Sequence, residues 1–138
     1  MKQLANSPEL LALERLIEQA GTKLCPEIVT HIHCDGQTLP LWCLSLGTRR
    51  LDAPAIGYFG GVHGVERIGS QVLIAYLNNL VQRLSWDSSL HSLLEKVRLV
   101  FVPIVNPGGF LRGTRANPDG IDLMRHAPIE AEHRVPWP

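Results

Sequence analysis

No charge of either sign prevails in this sequence: 13 Lys and Arg residues balance 13 Asp and Glu over 138 positions. Without a net field, long-range attraction to a nucleic-acid backbone or to an anionic membrane surface is not expected. Long apolar runs are missing as well. Stretches such as Leu99-Val100-Phe101-Val102 fall far short of the roughly 20 apolar residues that cross a bilayer. The amino terminus carries Glu9, Glu14, Arg15 and Glu18 where a secretion signal would be apolar, so neither a targeting nor a spanning segment is predicted. Cysteine is scarce. Cys25, Cys34 and Cys43 cannot all pair within the chain and none sits in a C-x-x-C spacing. That usage predicts a reducing, cytoplasmic setting with the thiols as small core residues. Internal repeats and low-complexity tracts are absent.

What is present is enough apolar residue, 45%, to build the core of one domain, and a chain of this length typically hides roughly 68–70% of its unfolded surface. Ser7-Pro8-Glu9 reads as a helix start, with a hydroxyl cap, a ring suited to the first turn and an acid near the positive end. Leu10, Leu13, Ile17 and Ala20 follow at helical spacing, and Gly21 is a stop. Ile28 to Cys34 and Leu39 to Leu46 read as strands joined at Asp35-Gly36, a hairpin dipeptide, which makes an antiparallel pair.

Ala55 to Gly60 is a short apolar run with glycine, as in a buried strand that other backbone or a ligand approaches closely. Ile68, Val72, Ala75, Tyr76 and Leu80 then predict a helix of about five turns from near Glu66. Asp87 or Ser88 caps a shorter helix to Lys96, and Val97 to Val105 reads as a strand covered on both faces. Strand, helix and strand form a crossover whose parallel pair is expected at the centre of the sheet. Beyond Val105, Asn106-Pro107-Gly108-Gly109 and Asn117-Pro118-Asp119-Gly120 are turn chemistry, and Arg134 to Pro138 shows no regular pattern. About thirty such residues in a compact domain signify a functional loop or an incomplete fold.

Two segments carry chemistry. In Gly60-Gly61-Val62-His63-Gly64-Val65-Glu66-Arg67, an imidazole and a carboxylate three residues apart converge if the chain is turning into a helix, and both are ordinary zinc ligands. They fall at the carboxyl end of a strand, where ligands of open α/β sheets gather. The helix start favours the ionised carboxylate that binds metal. Against this stands the plainer reading of a capped helix with an exposed His. The second segment runs from Asn106-Pro107-Gly108-Gly109-Phe110 through Arg112 and Thr114-Arg115 to Asp122-Leu123-Met124-Arg125. Its guanidinium forks suit carboxylates and carbonyl oxygens.

Taken together, His63 to Glu66, Asn106 to Phe110, Thr114-Arg115 and Gly120-Ile121-Asp122-Leu123-Met124-Arg125-His126-Ala127-Pro128 resemble the zinc carboxypeptidase family of metallopeptidases in order and approximate spacing. The resemblance covers roughly residues 55 to 128. It implies an α/β fold with a mixed, largely parallel central sheet of about eight strands and helices on both faces. It also implies zinc held by His63 and Glu66, Arg115 polarising the scissile carbonyl, and Arg125 binding a substrate carboxylate. Where the family commonly has Asn, this chain has Met124, whose thioether cannot donate to a terminal carboxylate.

The family's third zinc ligand, a His on a later strand, and its general-base Glu lie beyond the arginine motifs. Residues 1–138 are therefore expected to be the amino-terminal part of one zinc-peptidase-like catalytic domain, inactive alone. His126, His133, the same-face pair His31 and His33, and His91 lack the family's context for that ligand. Only four strands are found, so an apolar strand edge is expected to need the rest of a longer protein, another chain or a second copy. Three functions stay open: a zinc metallopeptidase acting on peptides, a deacylase of small N-acyl amino acids similar to succinylglutamate desuccinylase or aspartoacylase, and a non-catalytic binding module that keeps the arginines.

Overall fold

The computed structural model describes residues 7–127. His133, the last residue of the Gly120 to Pro128 stretch and the Arg134 to Pro138 tail lie outside them. Helix α1 (Pro8–Ala20) begins with proline at its first turn and ends at Gly21, whose φ of 54° is open to glycine at little cost. The cap is not the one predicted. Ser7 occupies the N-cap position, yet its hydroxyl bonds no helix N–H and reaches Glu9 Oε2 at 3.5 Å. Glu9 is buried rather than left at the helix end for its dipole.

Strands β1 (Cys25–Cys34) and β2 (Gln37–Gly47) pair antiparallel across a loop of two residues. Asp35 and Gly36 both have positive φ, 49° and 72°, the conformation a type I′ turn needs and the reason for the Asp-Gly dipeptide. The crossover follows as predicted: β3 (Ala55–Phe59), α2 (Arg67–Arg83), α3 (Ser88–Leu94) capped by Asp87, and β4 (Arg98–Val102) parallel to β3. The sheet order is β1-β2-β4-β3. Among the described residues the parallel pair is thus not central. β4 lies inside, between β2 and β3, while β3 forms an edge.

Cross-strand register sets the core. Leu44, Phe101 and Tyr58 form one row across the sheet, and Leu46, Leu99 and Ile56 the next. Tyr58 stacks on Phe101 with centroids 4.8 Å apart, and Tyr76 of α2 meets Tyr58 edge-on at 5.8 Å. All the helices bury side chains in this same cluster, including Leu13 of α1, Leu77 of α2, Leu90 of α3 and Phe110 of α4 (Pro107–Arg112). β4 accordingly alternates, with Leu99 and Phe101 buried and Val100 and Val102 only partly so, instead of being covered on both faces. On β3 the residues of the second face, Ala55, Gly57 and Phe59, are exposed.

Helix α2 forms where its spacing predicted, but Ile68 and Val72 from that pattern face solvent; Ser70, Ile74, Leu77 and Val81 turn inward. The helix is apolar on two sides, and the side beside the β3 edge is the uncovered one. A second correction concerns Asn106-Pro107-Gly108-Gly109, which is not a turn. It starts α4: Asn106 Oδ1 accepts from Gly109 N–H at 2.8 Å and Pro107 takes the first helical position. Among the described residues, no helix is long and apolar enough to cross a membrane.

Glu9 joins α1 to α2 by accepting from Arg67 Nη1 at 2.6 Å and Gln71 Nε2 at 2.9 Å. Burial by itself raises this carboxyl, but the donors from Gln71, its own backbone N–H and Arg67 outweigh burial and leave it below the ordinary 4.5. A carboxyl lowered by folding adds stability that is complete above its unfolded pKa and is lost as pH falls through the folded value. Urea unfolding of Glu9→Gln is therefore expected to show a flatter loss of stability below the ordinary 4.5 than the parent chain shows. Parallel curves for the two proteins there would contradict this.

Candidate metal centre

His63 lies in the turn between β3 and α2, at the carboxyl end of the parallel pair, and is only 5% exposed. That turn is pinned from below. Asn106 Nδ2 donates to the Val62 carbonyl at 3.3 Å, and the N–H groups of Val105 and Asn106 bond the carbonyls of Gly60 and Gly61 at 2.9 Å each. A Cβ on Gly64 would collide with the Gly109 carbonyl, so only glycine lets the His63 loop and α4 approach this closely. Gly61 adopts a φ of 64°, turning the chain where a side chain would be strained.

The imidazole is engaged at both nitrogens. Nδ1 lies 3.0 Å from Glu66 Oε1, and Nε2 lies 3.2 Å from Asp122 Oδ1. Asp122 also accepts the N–H groups of Met124 at 3.1 Å and Arg125 at 3.3 Å, so its own position is fixed by the backbone. Arg115 spans the two carboxylates, Nε donating to Asp122 Oδ2 at 2.8 Å and Nη1 to Glu66 Oε1 at 3.1 Å. Arg125 Nε stands 3.6 Å from Asp122 Oδ2. The bond from Arg115, more than that from His63 and the Arg125 N–H, holds the Asp122 carboxyl well below the usual range; desolvation opposes it. Asp122 in turn raises Arg115, which stays cationic at any working pH.

Four of the residues expected at the site, His63, Glu66, Arg115 and Arg125, are thus brought together. Asp122 was quoted in the motif but given no role, and it proves to be the hub. No local signal could have found it, because nothing in the sequence places position 122 against position 63. The other described histidines do not join. His126 Nδ1 bonds the Asp122 carbonyl at 2.9 Å, His33 Nδ1 lies 3.2 Å from Thr38 Oγ1, and His91 Nε2 lies 2.8 Å from the Leu84 carbonyl. His31 is exposed on β1.

The pair formed by His63 and Glu66 fits a metal ion. When Nε2 carries the proton and donates it to Asp122, Nδ1 presents a lone pair to a carboxylate oxygen 3.0 Å away. Two acceptors at that distance need a cation between them, either a proton or a metal. Donors each about 2.1 Å from one tetrahedral ion stand about 3.4 Å apart, so a metal would part these two atoms slightly from the 3.0 Å seen. A carboxylate behind a ligating imidazole is how such ligands are commonly oriented. Among the described residues, no group of three or more His, Cys, Asp and Glu is arranged to hold a metal.

Sequence comparison matches residues 15–136 to the zinc carboxypeptidase family. The chain belongs to that family. Carboxypeptidase SOL1 of Arabidopsis thaliana is 32% identical over 113 residues, covering 78% of this chain and 23% of that protein. Mouse carboxypeptidase M is 28% identical over 121 residues, with coverage of 76% and 27%. The zinc carboxypeptidase-like fold is seen directly in a metallo-carboxypeptidase from Burkholderia cenocepacia, at TM-score 0.67 and 22% identity, over 86% of this chain and 32% of that one. A Pseudomonas aeruginosa metallo-carboxypeptidase in complex with (2-guanidinoethylmercapto)succinic acid matches at TM-score 0.57 and 26% identity, over 81% and 29%. The chain spans about a quarter of the length of the Arabidopsis and mouse relatives, 23% and 27%. Within this zinc carboxypeptidase framework β3, α2 and β4 are the scaffold of the site.

Two measurements probe the support of His63. Asn106→Ala removes the α4 cap and takes the side-chain donor from the half-buried Val62 carbonyl, for an expected loss of about 1–3 kcal/mol in denaturant unfolding. Asp122→Asn leaves a weaker partner for Nε2 and is expected to weaken zinc binding by the full-length protein about 10–100-fold, read by chelator competition.

Proposed function

We propose that this chain carries half of the active site of a zinc-dependent peptidase that removes carboxy-terminal residues. The observation behind the proposal is the convergence of His63 and Glu66 on one point, with Arg115 and Arg125 beside it. Zinc, when bound, would polarise a carbonyl and bring its water to a pKa of about 7. His63 would offer Nδ1, because Asp122 engages Nε2, and Glu66 would offer an ionised oxygen. Arg115 lies at the mouth, about half exposed, with a guanidinium free to turn from Glu66 towards charge developing on a carbonyl oxygen. Arg125 is more exposed and has one contact at 3.6 Å, which leaves its fork available to a substrate carboxylate. The Pseudomonas relative holds a succinic acid derivative, and carboxylate chemistry of that kind suits this pair of arginines.

Met124 shapes the specificity we infer. It is 61% exposed beside Arg125 and can accept only weakly, so one carboxylate oxygen would lack a donor. Selection for a free carboxy terminus over an amide is expected to be weak in this protein. Met124→Asn is expected to raise that selection about tenfold, the worth of one hydrogen bond to a charged group.

The deciding experiment uses the full-length protein. Zinc content is measured by elemental analysis, and hydrolysis is followed on peptides and on N-acyl amino acids, with His63→Ala beside the parent. The proposal expects stoichiometric zinc and release of carboxy-terminal residues from peptides, both lost in His63→Ala. Cleavage confined to N-acyl amino acids would make it a deacylase. Zinc that persists in His63→Ala, or no zinc in the parent, would overturn the site itself.

A further inference from the structure

Helix α2 begins with a residue that its dipole disfavours. Arg67 places a cation at the positive end, and the Glu66 side chain makes no cap bond to the helix. The first turn is held instead by the fork of Arg67. Nη1 donates to Glu9 Oε2 at 2.6 Å, Nη2 donates to the Phe110 carbonyl at 2.9 Å, and the guanidinium sits 5.3 Å over the Phe110 ring. Glu9 is 4% exposed, and its other oxygen accepts from Gln71, one turn further along the same face of α2. The start of α1, the first turn of α2 and α4 therefore meet at one charge pair whose carboxylate is buried and whose guanidinium is partly exposed.

That meeting point adjoins the less constrained half of the ligand pair. His63 is buried and held through Nε2 by Asp122. The Glu66 side chain is 58% exposed, and its contacts are with the His63 ring and Arg115. Where its carboxylate lies is governed by where α2 starts, and α2 starts where Arg67 is anchored. We propose that Glu9 and Arg67 are positioning residues that set the Glu66 carboxylate against His63 Nδ1 for metal binding. This rests on the zinc reading above and adds to it two residues that touch neither metal nor substrate.

The test is zinc affinity of the full-length protein by chelator competition, at a temperature where circular dichroism shows every variant folded. Arg67→Met keeps the aliphatic stem and its packing but loses both donors. It is expected to weaken zinc binding about 10–100-fold, the range for residues that orient metal ligands. Arg67→Lys restores the charge without the fork and is expected to fall between Arg67→Met and the parent. Glu9→Gln keeps the shape and is expected to weaken binding in the same direction. The double variant should bind no worse than Arg67→Met alone, because the two residues act as one unit.

A purely structural pair would lower the melting temperature and leave the affinity of the folded protein within twofold of the parent, which would overturn the proposal. If Arg67→Met fails to fold, Glu9→Gln decides by the same criterion. The two readings fail in different ways. Parental zinc binding that is absent, or that survives His63→Ala, defeats the metal site and this inference with it. Binding that is lost in His63→Ala yet parental in the Arg67 and Glu9 variants defeats only the positioning role.

Discussion

One imidazole ring with a carboxylate at each nitrogen organises this molecule. Asp122 stands 3.2 Å from Nε2 and Glu66 3.0 Å from Nδ1, so the ring is held from both sides. Everything around the ring maintains this arrangement. The β3 and β4 ends bring the His63 turn against the Asn106 turn, the glycines let the backbones touch, and the loop from Arg115 to Arg125 closes the second side. The fold, and not either carboxylate taken singly, brings two acidic groups to one buried imidazole.

How much of this the sequence disclosed depends on the range of the interaction involved. Elements governed by neighbours within a few positions were legible: the Asp35-Gly36 hairpin, the Pro8 helix start, the Asp87 cap and the crossover from β3 to β4. The pair His63 and Glu66 was legible for the same reason, being three residues apart at a strand-to-helix junction. Arg115 and Arg125 were assigned through the resemblance, since no local rule separates them from solvated arginines such as Arg50.

The misses are of two physical kinds. Some are contacts between positions far apart in the chain, such as Asp122 with His63, or Glu9 with Arg67, where only the folded backbone makes the pair. Others are cases in which tertiary context chose between readings that the residues allow equally. Asn106-Pro107 suits a turn or a helix start, and the carbonyl of Val62 above it selects the helix. The apolar stripe of Ile68 and Val72 suits a core face, but α2 buries Ile74, Leu77, Leu80 and Val81 instead and leaves Ile68 and Val72 exposed. The central place expected of the parallel pair follows from the crossover rule, which says which strands pair but not which strands flank them.

The contact of Gly64 with Gly109 has a dynamic consequence. Two backbones in direct touch, stitched on one side by Asn106 and on the other by Arg67, leave the His63 turn no way to fluctuate by itself. Release of the imidazole must carry α4 and the first turn of α2 with it, so exposure of this ring is a cooperative, sub-global opening and not a local flicker. The amides of Gly61 to His63 and those of α4 are then expected to exchange with solvent together.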